Sequence, residues 1–313
     1  MSLNAEQLKR HCQTILASRR IRGKIVVLCE GDIQEIAKIP SPQSYRKMEK
    51  MPDANFYSKC VPIWWRQYRP QFFNCGDRND VLATYFTLLS LHDSDRSNSY
   101  LSPEKVFAIV DLDIQSKQID NYTFSDTEAI YHDLYFQSKV NRENSVKHRI
   151  WITELIHKEA YFLLPDLQTV FDRFHTSPMY DDTSLVLHRI YLAMSDSLVN
   201  DSDIKNNLKT VRCRIDHCSG LELLDTTTLQ DSWKNQFQKA QNDERKDELI
   251  FILLTICKAK SYWYQIRPSD HWNYSHDVFR DQLLLEIGSF YSKQDADVRL
   301  HIPCFFNLLY RFA

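Results

Sequence analysis

Two short acidic motifs, Glu30-Gly31-Asp32 and Asp111-Leu112-Asp113, are notable for where they fall in the chain. Each follows directly on a β-branched apolar run, Lys24-Ile25-Val26-Val27-Leu28-Cys29 and Val106-Phe107-Ala108-Ile109-Val110. Neither run alternates polar with apolar residues, which is the pattern of a strand buried on both faces of a parallel sheet. The carboxyl ends of such strands form the ligand crevice, so both motifs are expected at one edge. Carboxylates converging there repel one another unless a cation neutralises them. Hard oxygen donors of this kind suit Mg2+, which takes one or two carboxylates while water and substrate phosphate fill its other positions. Read singly, each motif is better explained as a helix N-cap or a turn former. It is the pair, on consecutive strong strands, that points to chemistry.

The elements that must hold these motifs can be traced from the periodicity. Leu8, Cys12, Ile15 and Leu16 recur at helical spacing, predicting a helix over Asn4 to Arg22 with Arg19, Arg20 and Arg22 at its end. Val61 to Tyr68 reads as a weaker aromatic strand, and Arg149 to Thr153 as a further one. Between them, Val81, Leu82, Tyr85, Phe86, Leu88 and Leu89 give one broad apolar helix face, capped by Asp77 or Asp80. Strands alternating with helices indicate an α/β fold, a mainly parallel sheet flanked by helices. After Pro165 the pattern becomes helical, over Leu167 to Phe174, Leu185 to Leu198, Thr228 to Ala240, Glu248 to Tyr264, Asp277 to Tyr291 and Pro303 to Phe312. The expected organisation is therefore an α/β domain over 1–165 and a mostly α-helical region over 166–313.

Composition narrows the class. The chain has 313 residues with Lys plus Arg 39 against Asp plus Glu 41, a net charge of -2, which excludes a polybasic nucleic-acid coat but not one basic groove. Five glycines and ten prolines exclude collagen-like and linker sequences. No apolar run approaches the roughly 18 residues of a membrane span, and no export signal is read at the N-terminus. Eight cysteines at irregular spacings fit reduced thiols, so a cytoplasmic location is expected.

Lys24 to Glu35 (KIVVLCEGDIQE) together with Val106 to Ile114 (VFAIVDLDI) resembles the Toprim fold of topoisomerases, bacterial primases and OLD-type nucleases. That family carries Glu-Gly after its first strand and Asp-x-Asp after its third. Gly76-Asp77-Arg78-Asn79-Asp80-Val81-Leu82 is similar to the glycine turn and helix after the second strand in prokaryotic Toprim-clan proteins, and Ile150 to Pro165 resembles their next strand and the segment after it. The resemblance spans Lys24 to Pro165. It implies a Mg2+-dependent nuclease, a hydrolase of phosphodiester bonds in DNA or RNA, with Mn2+ as a substitute metal. Glu30, Asp111 and Asp113 would be the catalytic, metal-binding carboxylates, with Glu159 as a further ligand. Glu30 would share a metal or act as general acid/base. Gly31 and Gly76 would let the backbone approach phosphate. An ATPase partner protein is also implied.

The chain departs from the family where many members have an acidic residue four positions after the motif Glu. Gln34 stands there, with Asp32 and Glu35 nearby. Trp64 to Arg69 and Lys258 to Arg267 interleave aromatics with cations and could face nucleic acid. Their alternative role is core rings with snorkelling heads. Cys213 to Cys218 lacks a second pair at zinc-finger spacing. No Gly-x-x-x-x-Gly-Lys-Ser/Thr or Gly-x-Gly-x-x-Gly loop is present, so any ATP hydrolysis falls to a partner. Two other functions compete with the nuclease: a non-catalytic Toprim scaffold that binds protein or nucleic acid, and a metal-dependent Asp-x-Asp glycosyltransferase, which leaves Glu30-Gly31 unexplained.

Overall fold

The structure, a computed structural model, describes residues 3–33 and 52–313. Helix α1 (Ala5–Leu16) opens on a reciprocal cap between Asn4 and Gln7. It ends before the basic residues predicted to close it, because Ser18 caps a separate 3-10 turn over Arg19–Ile21. Strand β1 (Val26–Cys29), helix α2 (Pro52–Cys60), strand β2 (Gln71–Asn74), helix α3 (Arg78–Ser94) and strand β3 (Val106–Val110) follow. Next come α4 (Thr127–Leu134), a hairpin of β4 (Tyr135–Phe136) and β5 (Lys139–Val140), α5 (Arg142–Ser145) and β6 (Ile150–Ile152).

Strands β2, β1, β3 and β6 lie in that order in one parallel sheet. β1 and β3 are buried along their whole length, as their uninterrupted apolar sequences require. The chain steps from β1 to β2 on one side and returns to β3 on the other. The switch point of the sheet therefore lies between the carboxyl ends of β1 and β3, the position at which open α/β sheets bind ligands.

The stretch Val61 to Tyr68 is not a strand. Pro62 falls inside it and Pro70 just after it, Trp65 turns back to donate its amide to the Pro62 carbonyl, and Tyr68 takes a left-handed φ of 55°. The strand begins only at Gln71, after Pro70.

Beyond Pro165 the described residues form mainly helices: α6 (Gln168–Arg173), then, after a β7 (Pro178–Tyr180) and β8 (Thr183–Ser184) hairpin, α7 (Leu187–Ser197), α8 (Ser202–Asn206) and α9 (Leu208–Ile215). They continue with α10 (Thr226–Lys239), α11 (Asp243–Ile256), α12 (Lys260–Gln265), β9 (Arg267–Pro268), α13 (His276–Tyr291) and α14 (His301–Tyr310). The long helix predicted over Glu248 to Tyr264 is two helices, because Cys257 adopts an extended backbone between α11 and α12. Strand β9 pairs with β7, a small antiparallel sheet that helical periodicity did not reveal.

The hydrophobic core runs without interruption from the parallel sheet into the C-terminal helices. Trp151 of β6 stacks on His301 at 5.5 Å and meets Phe305, while Phe72 of β2 packs edge-on against Phe306 and Phe107 of β3 against Phe312. The last helix thus forms one wall of the sheet's core.

Candidate active site

Parallel register puts Cys29 beside both Asn74 and Ile109, so the segments leaving β1, β2 and β3 emerge side by side. Glu30 leaves the first and Asp111 the third. Their link is direct: the Asp111 amide donates to Glu30 Oε1 at 2.8 Å. Asp111 Oδ1 in turn accepts the Lys158 amide at 3.1 Å, which ties it to the 3-10 turn Lys158–Leu163.

Beside Glu30, Gly31 and Gly76 exchange two backbone hydrogen bonds, of 2.9 and 2.8 Å. This bridge closes the site edge between β1 and β2 and delivers the chain to Asp77, the N-cap of α3. Gly76 has φ 88°, and a Cβ there would lie 2.4 Å from Asp80 Oδ2. Both features demand glycine.

The Asp111-Leu112-Asp113 loop is held from four sides. The Leu112 amide donates to Thr153 Oγ1 at 2.9 Å, and the Asp113 amide to the Ile156 carbonyl at 2.9 Å. Arg78 Nη1 donates to the Leu112 carbonyl at 3.2 Å, and Arg214 Nη2 to the Asp113 carbonyl at 2.7 Å. Asp113 is left-handed, with φ 46°. One of its oxygens accepts the Ile114 amide at 2.7 Å, and the other faces Arg78 Nη2 at 3.8 Å.

Electrostatics set Glu30 and Asp111 apart. Both keep some solvent contact, yet the protein packed around them raises their pKa values. Burial pushes Glu30 up to about 7 against the partial relief of the Asp111 amide, Lys158 and Arg78. Asp111 is pushed well above the usual carboxylate range by burial first and by the charge of Glu30 next, with Glu159 adding to it and Lys158 opposing. His157 sits 3.8 Å from Glu159, and burial lowers its imidazole to about 4. Glu30, Asp111 and Glu159 therefore share one neighbourhood, while Asp113 turns to Arg78 on its flank.

As the side chains stand, no three His, Cys, Asp or Glu residues are gathered to hold a metal ion among the described residues. The donor chemistry still fits Mg2+, which takes only one or two protein carboxylates. Glu30 and Asp111 are adjacent hard-oxygen groups whose protonation is favoured by burial and, for Asp111, by the charge of Glu30 as well, and a divalent cation would relieve such a pair.

The remaining sequence candidates fall elsewhere. Asp32 is exposed beside the pair, whereas Gln34 and Glu35 lie outside the described residues. Trp64 to Arg69 precedes β2 and so lies at the amino edge of the sheet, opposite the carboxylates. In the second aromatic stretch Trp263 is core, packed on Phe162, and Lys258 pairs with Asp203. Every cysteine is a free thiol, with Cys213 exposed and Cys218 buried.

Arg78, Arg214 and His157 carry no role in the sequence reading. Arg78 did leave a signal, since a cation in the first turn of a helix opposes the helix dipole and calls for another reason to be there. Comparison with protein-family models, with curated proteins and with solved structures gives no match in any of the three.

Proposed function

We propose that this chain is a Mg2+-dependent enzyme of Toprim type that cleaves phosphodiester bonds in nucleic acid. The observation that carries the reading is the hydrogen-bonded Glu30–Asp111 pair at the switch point of a parallel sheet, with both pKa values raised. Asp111 and Glu30, with Asp113 and Glu159 at the rim, are the residues that would hold the metal. When bound, Mg2+ supplies charge neutralisation at the phosphoryl oxygens and a more acidic water.

The chain's own residues do the rest. Glu30 would share the metal or, where it does not, exchange a proton with the attacking water or the leaving oxygen. Arg78 and Lys158 contribute positive charge to the crevice, as their effect on Glu30 indicates, and so orient a phosphate. Gly31 presents backbone without a side chain to the same spot. A partner ATPase would supply nucleotide hydrolysis, and a cytoplasmic setting suits the free thiols.

The test is cleavage of mixed DNA and RNA substrates under Mg2+ or Mn2+, with the wild type set against Asp111→Asn and Glu30→Gln. Cleavage lost in both variants supports the reading, and cleavage retained in both overturns it. The non-catalytic scaffold draws support from Asp113, whose carboxylate already faces Arg78. A wild type that takes up neither Mg2+ nor Mn2+ favours that second reading.

A further inference from the structure

Arg214 lies in α9, far along the chain from the carboxylates, yet its guanidinium ends at their loop. Nη2 donates to the Asp113 carbonyl at 2.7 Å across 101 positions of sequence. The same guanidinium forks onto Glu128 of α4, with Nε to Oε1 at 3.0 Å and Nη2 to Oε2 at 2.6 Å. It also lies over the Tyr131 ring at 5.6 Å. The Arg214 side chain is fully buried, and its Nη1 has no hydrogen-bond partner among the described residues. Glu128 also reaches His132, at 3.4 Å.

A buried ion pair of this kind is a poor source of stability, because two charges must leave water to form it. What it provides is directional. The planar fork has five donors in fixed geometry, so seating two of them on Glu128 determines where the Asp113 carbonyl is gripped. That grip matters because Asp113 sits in a left-handed conformation that a non-glycine residue holds only when its surroundings impose it.

We infer that Arg214 is a positioning residue: seated on Glu128, it fixes the backbone of Asp113 and so orients the Asp111-Leu112-Asp113 loop for a divalent cation. The inference rests on the proposed metal-dependent reading of those carboxylates. A lysine cannot replace the fork, since a single ammonium lacks the planar pair of donors that serves Glu128 and the carbonyl together.

The experiment is Mn2+ titration of the full chain, followed by the electron paramagnetic resonance signal of free Mn2+. It compares wild type, Arg214→Lys, Asp113→Asn and the double variant, at a temperature where circular dichroism shows all four folded. Arg214→Lys is expected to weaken Mn2+ binding by roughly tenfold, the lower range for an outer-shell partner. In the Asp113→Asn background the same change is expected still to weaken binding, because that variant keeps both the gripped backbone carbonyl and Asp111 on the loop. Glu128→Gln, which leaves the guanidinium in place but loosens its seat, is expected to weaken binding in the same direction and stands in if Arg214→Lys does not fold. Wild-type affinity in the folded Arg214→Lys and Glu128→Gln variants, or an Arg214→Lys loss that vanishes in the Asp113→Asn background, overturns the backbone-positioning role while leaving the metal centre intact. A wild type that takes up no Mn2+ overturns the metal-centre reading and the inference with it.

Discussion

The amide of Asp111 donates to the carboxylate of Glu30 at 2.8 Å, across 81 positions of sequence. The bond joins the segments that leave the two central strands and holds one acid's backbone against the other's side chain. Two acids so placed cannot both ionise cheaply, and their protonation is coupled.

The coupling gives a pH dependence with a definite sign. Burial raises Glu30 to about 7 in the folded chain from an ordinary 4.5, so the folded state keeps a proton that the unfolded state gives up. Stability is then highest below about 4.5 on this group's account and is lost as pH rises towards 7. On the proposed reading, Mn2+ or Mg2+ would reverse the loss by favouring the ionised pair. The melting-temperature rise on adding 5 mM Mn2+, an amount on the order of a weak site's need, should be larger at pH 8 than at pH 6. In Glu30→Gln that rise should shrink and lose most of its pH dependence, which differential scanning fluorimetry would show. A metal shift equal at both pH values would refute the assignment.

Gly76→Ala should destabilise the chain by about 1–3 kcal/mol, the usual cost of forcing a side chain into a left-handed position. The new Cβ also meets Asp80 Oδ2. Urea unfolding gives the loss, and any cleavage activity should fall with it because the Gly31–Gly76 bridge opens. A neutral substitution would mean that the bridge is not required.

Glu154 follows β6 and is wholly buried, with neither carboxylate oxygen hydrogen-bonded among the described residues. Its amide and that of Leu155 donate to Tyr161 Oη at 2.8 and 3.2 Å, which fixes the backbone but not the acid. Burial raises its pKa well above 4.5. The folded state therefore retains this proton, and stability falls by about 1.4 kcal/mol per pH unit once the unfolded group ionises. Glu154→Gln removes the titration. It should raise the melting temperature at pH 8 and change it little at pH 4, and a gain that is equal at both would rule the explanation out.

Buried histidines act in the opposite direction. Burial lowers His301 to about 3 and His11 to about 4, and in both rings the two nitrogens have no hydrogen-bond partner among the described residues. Both stay neutral in the folded chain while the unfolded chain protonates them near 6.5. Stability is full above 6.5 and is lost as pH falls towards 4 and 3. His301→Phe keeps the stack on Trp151 and should make the acid side of the stability profile shallower, by up to about 1.4 kcal/mol per pH unit. An unchanged acid limb would show that His301 is not responsible.

Sequence alone made the two central strands plain, because Val26–Cys29 and Val106–Val110 are apolar on every position and only a doubly covered strand tolerates that. It also placed Glu30 and Asp111 at one edge, since both follow such strands. Strand β2 was hidden: Gln-Phe-Phe-Asn is four residues long, and the louder aromatics of Val61 to Tyr68 lie before it. The break between α11 and α12 has no glycine or proline to announce it. Arg214 could not be found, because Lys-Thr-Val-Arg-Cys-Arg-Ile reads as an ordinary amphipathic turn. Its burial depends on Glu128, a partner that no local pattern specifies. The orientation of Asp113 towards Arg78 is likewise a matter of three-dimensional packing.

The packing of α14 has a consequence for biosynthesis. Phe72, Phe107 and Trp151 are all made well before Phe306, Phe312 and Phe305, the rings that cover them. During translation the sheet can pair its strands, but one aromatic wall stays wet until those later rings have emerged from the ribosome. The nascent chain is then at its most adhesive, and a premature stop anywhere before α14 would leave chaperones and proteases facing a sheet with its hydrophobic side uncovered.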